Sequence, residues 1–333
     1  MIPTREPLGK LTDAVGREIT YLRLSLTSRC NLRCSYCAAH DVAPPPREPL
    51  RRDEVTRLVS IFGRLGVRRI RLTGGEPTLR GDLIDLVTDV AAAPGIEEIA
   101  LTTNGFRLEE LAAPLRAAGV SRLNVSLDTL DGDRLKRICG RPVRIDRLLA
   151  GIEAAMRAGF ASVKLNTVVM RGENDGEVGE IVRFAWRVGA LPRFIELMPF
   201  GSGDPVPAAE TKRLLTAQGI ALRPDETRGW GPAYHMQGLS EVDGRARTGL
   251  VGFISAMTEN FCSSCNRVRI AADGSLRACL GGNARVPLRE LLDAGASDGE
   301  IAARVMAELR RKGDRHKMDE ERCNLLPMIG TGG

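Results

Sequence analysis

Strand-like and helix-like segments alternate along the first part of the chain, and this alternation is the pattern that most restricts the fold. Six β-rich segments recur, at Leu22 to Thr27, Arg69 to Leu72, Glu98 to Thr103, Arg122 to Leu127, Val163 to Val169 and Arg193 to Met198. The stretches between them look helical, and residues 53–65 place apolar side chains on one face at Val55, Leu58, Val59, Phe62 and Leu65. This alternation predicts an α/β fold of parallel β/α units, whose active sites lie at the carboxyl ends of the strands.

The chain length allows a second, smaller unit after these six segments. The 333 residues are 43% hydrophobic, which suffices for one barrel-sized domain and an appendage. After the Gly- and Pro-rich stretch 199–205 the apolar strands become short, so we predict one domain at 1–205 and another at 206–333. Near the end, Val286 to Arg311 is predicted to form two helices separated by a turn and cap at 295–298.

Composition also restricts the partners. The sequence has no uncharged apolar run of about 18 residues and no apolar signal region at its start, which predicts a cytoplasmic protein that does not enter a membrane. A formal net charge of +6 suggests an acidic partner. Aromatic residues make up only 4% of the chain and offer few platforms for base stacking, so nucleic acid is disfavoured as that partner.

The first cysteine cluster follows directly on the first strand-like segment. Cys30, Cys34 and Cys37 have C-x3-C-x2-C spacing, and no fourth cysteine lies within about a hundred residues of them. Zinc sites and complete iron-sulfur sites usually take four protein ligands, so a cluster held here would keep one iron open. The alternative interpretations are ordinary buried thiols or a partial zinc knuckle.

A second cysteine triplet lies in the predicted second domain. Cys262, Cys265 and Cys279 again offer three thiolates, and Cys323 or His316 could complete a closed zinc site instead. Arg267 and Arg269, two residues apart, are expected on one side of a strand, where a pair of guanidiniums can clamp phosphates. The two remaining cysteines, Cys139 and Cys323, are predicted to be small buried apolar side chains.

Glycines and short polar side chains follow the next predicted strands. Gly74 and Gly75 allow the backbone to approach a ligand that a Cβ atom would exclude. The segments 102–105 and 125–128 place hydroxyl, amide and carboxylate groups at the expected mouth of the site. Turn formation and helix capping would explain Asn104 and Asp128 equally well.

The first cysteine motif resembles that of the radical S-adenosylmethionine (SAM) superfamily. In that superfamily the open iron of a 4Fe-4S cluster binds the amino and carboxylate groups of SAM. The segment 74–77, Gly-Gly-Glu-Pro, is similar to the one that contacts the SAM amino group, and the aromatic Tyr36 before the last cysteine also fits. The resemblance implies that Cys30, Cys34 and Cys37 hold such a cluster.

Most of the chain is similar, more narrowly, to the GTP-cyclising family of molybdenum cofactor biosynthesis. The matching segments are the first cysteine motif, 72–77, 102–105, 166–169, 194–199, 252–255 and 261–280. The family implies an incomplete (β/α)6 parallel barrel closed by a smaller C-terminal domain, in which Cys262, Cys265 and Cys279 hold a second 4Fe-4S cluster that faces the guanine of GTP. Zinc then becomes the less favoured occupant of the second triplet.

Carried over position by position, the resemblance implies two groups of ligands. SAM contacts are expected at Tyr36, Gly75, Ser126 and Met198, and GTP contacts at Arg23, Arg71, Thr102, Lys164, Arg267 and Arg269, the last two being the catalytic pair. Cations that converge on one mouth suit a triphosphate. Arg23, Arg71 and Lys164 each interrupt an otherwise apolar strand, where a long charged side chain needs a reason.

The implied reaction is a radical cyclisation. A 5′-deoxyadenosyl radical formed from SAM removes the ribose 3′ hydrogen of GTP, and closure on guanine C8 gives (8S)-3′,8-cyclo-7,8-dihydroguanosine 5′-triphosphate, the first intermediate towards molybdopterin. The resemblance also implies an electron donor, whose identity the sequence leaves open, and a downstream cyclic pyranopterin monophosphate synthase. The sequence does not determine the oligomeric state, for which a homodimer is one option. The alternatives are a radical SAM peptide maturase with an auxiliary cluster, which generally carries more cysteines, and a non-catalytic iron-sulfur scaffold.

Two segments depart from the family pattern. The family usually ends in a Gly-Gly tail that reaches the active site, whereas here Thr331 separates Gly330 from Gly332 and Gly333, so the register of the tail is open. After Cys279 the chain continues Leu280-Gly281-Gly282, where an aromatic residue is common. That change removes no cluster ligand.

Overall fold

A parallel sheet forms the centre of the structure, a computed structural model that describes residues 6–37, 48–225, 231–282, 284–316 and 318. Its strands in chain order are β1 (Tyr21–Ser25), β2 (Arg69–Thr73), β3 (Glu98–Thr103), β4 (Arg122–Ser126), β5 (Ser162–Val169) and β6 (Leu191–Glu196). Each strand pairs in parallel with the next one. All six predicted segments are confirmed as strands, and the architecture is the expected incomplete (β/α)6 parallel barrel.

Helices connect these strands and cover the outer side of the sheet. They are α1 (Arg52–Arg64), α2 (Leu83–Ala91), α3 (Leu108–Ala118), α4 (Gly132–Cys139), α5 (Ile145–Arg157) and α6 (Val178–Val188). The predicted helix over 53–65 is confirmed, and the Arg51 amide before it donates to the Glu54 carboxylate at 2.6 Å. Leu58 and Phe62 of α1 are buried in one core with Leu22 of β1, so the helical face found in the sequence is the face that packs on the sheet.

The rest of the chain extends the sheet at both edges. Its elements are α7 (Ala208–Ala217), β7 (Ala221–Pro224), β8 (Tyr234–Val242), β9 (Arg245–Ile254), β10 (Arg267–Ile270), β11 (Ser275–Arg277), β12 (Val286–Pro287), α8 (Leu288–Asp293) and α9 (Asp298–Leu309). Strand β10 pairs in parallel with β1, and β9 pairs in parallel with β6. The predicted second domain therefore contributes strands beside both ends of the six-stranded sheet, while a boundary at 205 stays a prediction.

Two helices near the end of the described chain precede the segment 310–316, whose His316 lines the site cavity. Helices α8 and α9 confirm the two predicted over 286–311, and Ser297 caps α9 by accepting from the Glu300 amide at 3.3 Å. Asp298, the first residue of α9, binds Arg57 and Arg64 of α1 at 3.0 Å each. These ion pairs hold α9 against the barrel.

Three further expectations concern particular regions. None of the helices in the described ranges is both long enough and apolar enough to cross a bilayer. Cys139 is buried as predicted, with 3% of its surface exposed. The C-terminal tail with Thr331, and Cys323, lie outside the described residues.

Candidate functional site

One cavity of about 400 Å³ opens inside the barrel, between the six parallel strands and the second cysteine triplet. It is lined by every residue that the sequence assigned to a site. These are Cys30, Cys34, Cys37, Tyr36, Gly75, Ser126, Met198, Arg23, Arg71, Thr102, Lys164, Arg267, Arg269, Cys262, Cys265 and Cys279. Residues far apart in the chain thus share one space.

Strand alternation explains why so many polar side chains face this space. In β5, Val163 and Leu165 are buried towards the helices, whereas Lys164 and Asn166 line the cavity. Parallel register places equivalent positions of neighbouring strands side by side, so Arg23 of β1 lies opposite Arg71 of β2 and Arg269 of β10. The charged positions of separate strands consequently form one layer in the barrel interior.

The first cysteine triplet lies in the loop that follows β1. The loop is fixed by backbone bonds from the Arg33 amide to the Cys139 carbonyl and from the Ser35 amide to the Ile138 carbonyl, at 2.8 and 2.9 Å. Burial raises the pKa of the Cys30 thiol to about 12. A hydrogen bond with the Cys139 thiol, together with burial, raises the pKa of Cys34. These thiols ionise readily only when they bind a cation such as iron.

Glycines let the backbone come close around this loop. A Cβ atom on Gly74 would lie 2.6 Å from the Thr27 carbonyl oxygen, and one on Gly201 would lie 2.3 Å from the Tyr36 backbone. The Gly75 amide donates to the same Thr27 carbonyl at 2.6 Å. The glycine pair therefore packs the turn after β2 against the turn after β1, beside the cysteines.

Two buried carboxylates tie the strand ends together. Glu76 accepts from the hydroxyls of Thr78 and Thr103 and from the amide of Asn104, at 2.6, 2.8 and 2.7 Å. Asp128 accepts from the Tyr36 hydroxyl at 2.8 Å and from the Val168 amide at 2.9 Å, and burial raises its pKa to about 6. Asp128 thereby links the first cysteine loop to the ends of β4 and β5.

The second triplet lies beside β10, at the other side of the cavity. Although burial raises the pKa of the Cys265 thiol, the positive charges of Arg267 and Lys312 lower it to about 7. The Arg267 guanidinium stacks on the Phe261 ring, 4.7 Å from the ring centre. The second triplet is therefore surrounded by positive charge.

Each cysteine triplet supplies three thiols, a donor set that fits an iron-sulfur cluster. In the part of the chain that the structure describes, no three His, Cys, Asp or Glu side chains are grouped closely enough to hold one metal ion. His316, a candidate zinc ligand, has its Nε2 atom 3.1 Å from the Ala256 carbonyl oxygen and accepts from the Met318 amide through Nδ1.

A layer of buried and half-buried cations lines the cavity between the two triplets. Arg71 donates to the Tyr21 hydroxyl at 2.5 Å and to the Thr102 hydroxyl at 3.3 Å. Burial, followed by the nearby guanidiniums, lowers the pKa of Lys164 to about 7 and that of Arg269 to about 10. The same two causes lower the pKa of Arg23. Like charges held together in a buried space are costly, so this layer is built for a polyanion.

Sequence reasoning missed one member of this layer, Arg193 of β6. Only 5% of its surface is exposed, and its Nε and terminal nitrogen donate to the Asn166 side-chain oxygen at 2.9 and 2.7 Å. Burial, followed by the charge of Arg71, lowers its pKa to about 9. Its position inside an apolar strand is the same feature that singled out Arg23, Arg71 and Lys164, so the signal was present.

Comparison with known proteins agrees with this arrangement. Residues 24–185 match the Radical SAM superfamily, and residues 192–318 match Molybdenum Cofactor Synthesis C. The crystal structure of Streptococcus suis SuiB bound to S-adenosylmethionine has a similar fold, with a TM-score of 0.60 and 17% identity over 88% of this chain and 68% of that one. The predicted radical SAM fold is thus confirmed. The Radical SAM superfamily match indicates an enzyme that uses SAM with an iron-sulfur cluster.

Relatives narrow the assignment to one family. The chain is 42% identical to the GTP 3′,8-cyclase of Heliobacterium modesticaldum, over 96% of this chain and 100% of the relative. It is 43% identical to the GTP 3′,8-cyclase of Pelotomaculum thermopropionicum, over 97% of this chain and 100% of that one. It is also 41% identical to Molybdenum cofactor biosynthesis protein 1 of Drosophila melanogaster, over 94% of this chain and 56% of that protein. The chain therefore belongs to the GTP 3′,8-cyclase family of radical SAM enzymes.

Proposed function

We propose that this enzyme cyclises GTP to (8S)-3′,8-cyclo-7,8-dihydroguanosine 5′-triphosphate, the first step of molybdenum cofactor biosynthesis. The observation that carries the proposal is the buried cation layer, which lies in the same cavity as both cysteine triplets. A nucleoside triphosphate carries a charge near minus four at neutral pH, and each charge-assisted contact contributes about 1.5 to 3 kcal/mol. Binding GTP relieves the repulsion within the layer.

The first triplet and the strand ends beside it would hold the cofactors. Cys30, Cys34 and Cys37 ligate a 4Fe-4S cluster, and the SAM contacts come from Tyr36, Gly75, Ser126 and Met198. When bound, the cluster and SAM supply the one-electron chemistry that generates the hydrogen-abstracting radical. The bond from Tyr36 to Asp128 and the close approach at Gly74 support this role, because they fix the loop against the strands.

The second triplet and the cations would hold GTP. Cys262, Cys265 and Cys279 would hold a second 4Fe-4S cluster, and the phosphates would be bound by the side chains of Arg23, Arg71, Thr102, Lys164, Arg267 and Arg269. We add Arg193 to this group, since it is buried in the same layer and lines the same cavity. The chain thus orients the ribose towards SAM, neutralises the triphosphate and excludes water.

Further partners are part of the proposal. Reduction requires an electron donor, and the product passes to a cyclic pyranopterin monophosphate synthase. Thiolates that ligate clusters favour a reducing compartment, so we propose that the enzyme works in the cytoplasm. The low aromatic content and the enclosed position of the cations support a nucleotide substrate rather than a nucleic acid.

A double arginine variant tests the function. Arg267→Ala with Arg269→Ala removes two cations from the layer and leaves the first triplet intact. SAM cleavage, measured as 5′-deoxyadenosine, should persist, whereas cyclised product should fall at least about 100-fold. The matched control is Arg245→Ala with Arg247→Ala, an exposed pair with the same spacing on β9.

Anaerobic incubation with GTP, SAM and dithionite, followed by mass spectrometry of the products, provides the measurement. Wild-type product formation by the double variant would contradict the assignment. A scaffold would release no 5′-deoxyadenosine, and a peptide maturase would form no product from GTP. Each alternative thus has its own result in the same assay.

A further inference from the structure

A lysine at the end of the described chain reaches the second cysteine triplet. Lys312 follows α9, and only 4% of its surface is exposed. Its Nζ atom lies 3.4 Å from the Cys265 sulfur and donates to the Arg267 carbonyl oxygen at 2.6 Å. A buried lysine is rare unless its charge has partners, and among the described residues this sulfur and this carbonyl serve as partners.

The segment that carries Lys312 is held in place by Arg17. The Arg17 guanidinium donates to the Cys262 carbonyl at 2.5 Å, to the Gly313 carbonyl at 2.6 Å and to the Asp314 carbonyl at 2.9 Å. The Asp13 carboxylate in turn accepts from Arg17 Nε at 2.6 Å. One arginine therefore joins the segment after α9 to the second cysteine loop. The ion pairs of α9 before Lys312 and the Arg17 bonds after it together fix the position of Lys312.

We propose that Lys312 is a positioning residue that raises the reduction potential of the second cluster by donating a hydrogen bond to the Cys265 thiolate. The proposal rests on the proposed function, because it requires a cluster at Cys262, Cys265 and Cys279. Reduction adds negative charge to a cluster, and a nearby ammonium that donates to a ligand sulfur stabilises this added charge. The reduced state is favoured, and the potential becomes less negative.

The charges beside the two triplets have opposite signs, as a higher reduction potential at the second cluster requires. The Lys312 ammonium lies 3.4 Å from the Cys265 sulfur. The first cysteine loop instead lies beside two buried carboxyl groups, those of Asp128, which accepts from Tyr36, and of Glu76, whose amide donates to the Arg29 carbonyl. Positive charge around one triplet and negative charge around the other separates the potentials of two otherwise similar clusters. Lys312 and the Arg267 side chain both donate to the Cys265 sulfur, and Lys312 does so from the segment after α9.

Lys312 also connects the cluster to the substrate side of the cavity. The carbonyl that it binds belongs to Arg267, whose guanidinium is part of the cation layer. The same ammonium therefore fixes a cluster ligand and the strand that carries a proposed GTP contact. A change at Lys312 is expected to alter mainly the reduction potential of the second cluster, and to a smaller extent the KM for GTP.

The test is a redox titration of the full-length, anaerobically reconstituted enzyme. Lys312→Met removes the hydrogen-bond donor and the charge while keeping a side chain of similar length. Lys312→Arg keeps both the donor and the charge. The EPR signals of the reduced clusters are followed against potential, with SAM added to mark the signal of the first cluster. Lys136→Met, at an exposed lysine that binds Asp133 on α4, is the matched control.

We expect the midpoint potential of the second cluster to become more negative in Lys312→Met by more than the spread of replicate titrations, and to return within that spread in Lys312→Arg. The first cluster should keep its potential in both. An unchanged second potential in Lys312→Met, or an equal shift of both clusters, would overturn the proposal.

Iron analysis separates this failure from failure of the proposed function. The native chain should bind about eight irons, and a value of about four would remove the second cluster itself. If Lys312→Met does not assemble that cluster, Lys312→Leu, which also removes the donor and the charge but is smaller, is titrated in its place. A native potential in Lys312→Leu would count against the proposal, and a more negative one would support it.

Discussion

The charge on Lys164 is expected to depend on whether a triphosphate occupies the cavity. Burial is the main cause that lowers its pKa from 10.5 to about 7, and the neighbouring cations Arg193 on β6, Arg71 on β2 and Arg122 on β4 add to it, opposed by Glu98 on β3. At about pH 8 the lysine of the free enzyme is therefore about nine-tenths neutral. The phosphates of GTP favour the ammonium form, so binding takes up a proton at this side chain.

The size and the sign of the effect follow from that pKa. The terminal phosphate of GTP is already ionised at about pH 8, so proton uptake of about 0.9 per GTP is expected there. Because the complex binds more protons than the free enzyme, affinity falls as pH rises. The Kd for GTP should increase about eightfold between about pH 7.5 and pH 8.5.

Isothermal titration calorimetry in two buffers with different ionisation enthalpies measures the uptake directly. Lys164→Arg keeps the charge at this pH, so binding should persist with uptake close to zero. Lys164→Met removes the contact, and GTP affinity should fall about 10- to 150-fold. A binding heat that does not depend on the buffer, or the same uptake in Lys164→Met as in the native enzyme, would refute the reasoning.

The remaining predictions concern stability, measured by urea unfolding. Glu76→Gln replaces a buried acceptor that binds Thr78, Thr103 and Asn104, and should lower the free energy of unfolding by about 1 to 3 kcal/mol, whereas Glu109→Gln at an exposed position should have little effect. Gly249→Ala would place a Cβ atom 2.5 Å from Trp186 Nε1 and should cost about 1 to 3 kcal/mol, seen as an altered Trp186 emission. Gly176→Ala has no heavy atom within 4 Å of the added Cβ and is its control, so equal losses in the two glycine variants would contradict the packing explanation.

The barrel strands could be predicted closely because their pattern is local. Apolar segments of strand length separated by amphipathic stretches predict parallel β/α units before any tertiary contact is known. The positions of the strand ends were predicted less accurately. Strand β1 ends at Ser25 and β6 at Glu196, before the predicted ends at Thr27 and Met198. At the end of β6 the chain leaves the sheet to form a loop that lines the cavity with Leu197 and Met198.

The cysteine spacing and the family motifs were also available from the sequence. Three thiols within one short loop need no tertiary contact to act together, so the first triplet is recognisable on its own. By contrast, the role of Arg193 depends on Asn166, a residue of the neighbouring strand that holds its guanidinium in the cavity. Such a partner is fixed by strand register rather than by local spacing.

By itself, the amino-acid order determined the parallel core, both sets of cysteines and the family, because each depends on short-range patterns of residue type. That the two triplets meet across one cation-lined cavity follows from long-range strand pairing, since it requires β10 to pair with β1 and β9 to pair with β6. Only the tertiary structure decided the position of Lys312, which reaches Cys265 because Arg17 and the ion pairs of α9 hold its segment against the barrel. Contacts between distant segments arise from packing geometry, to which no local pattern of residues corresponds.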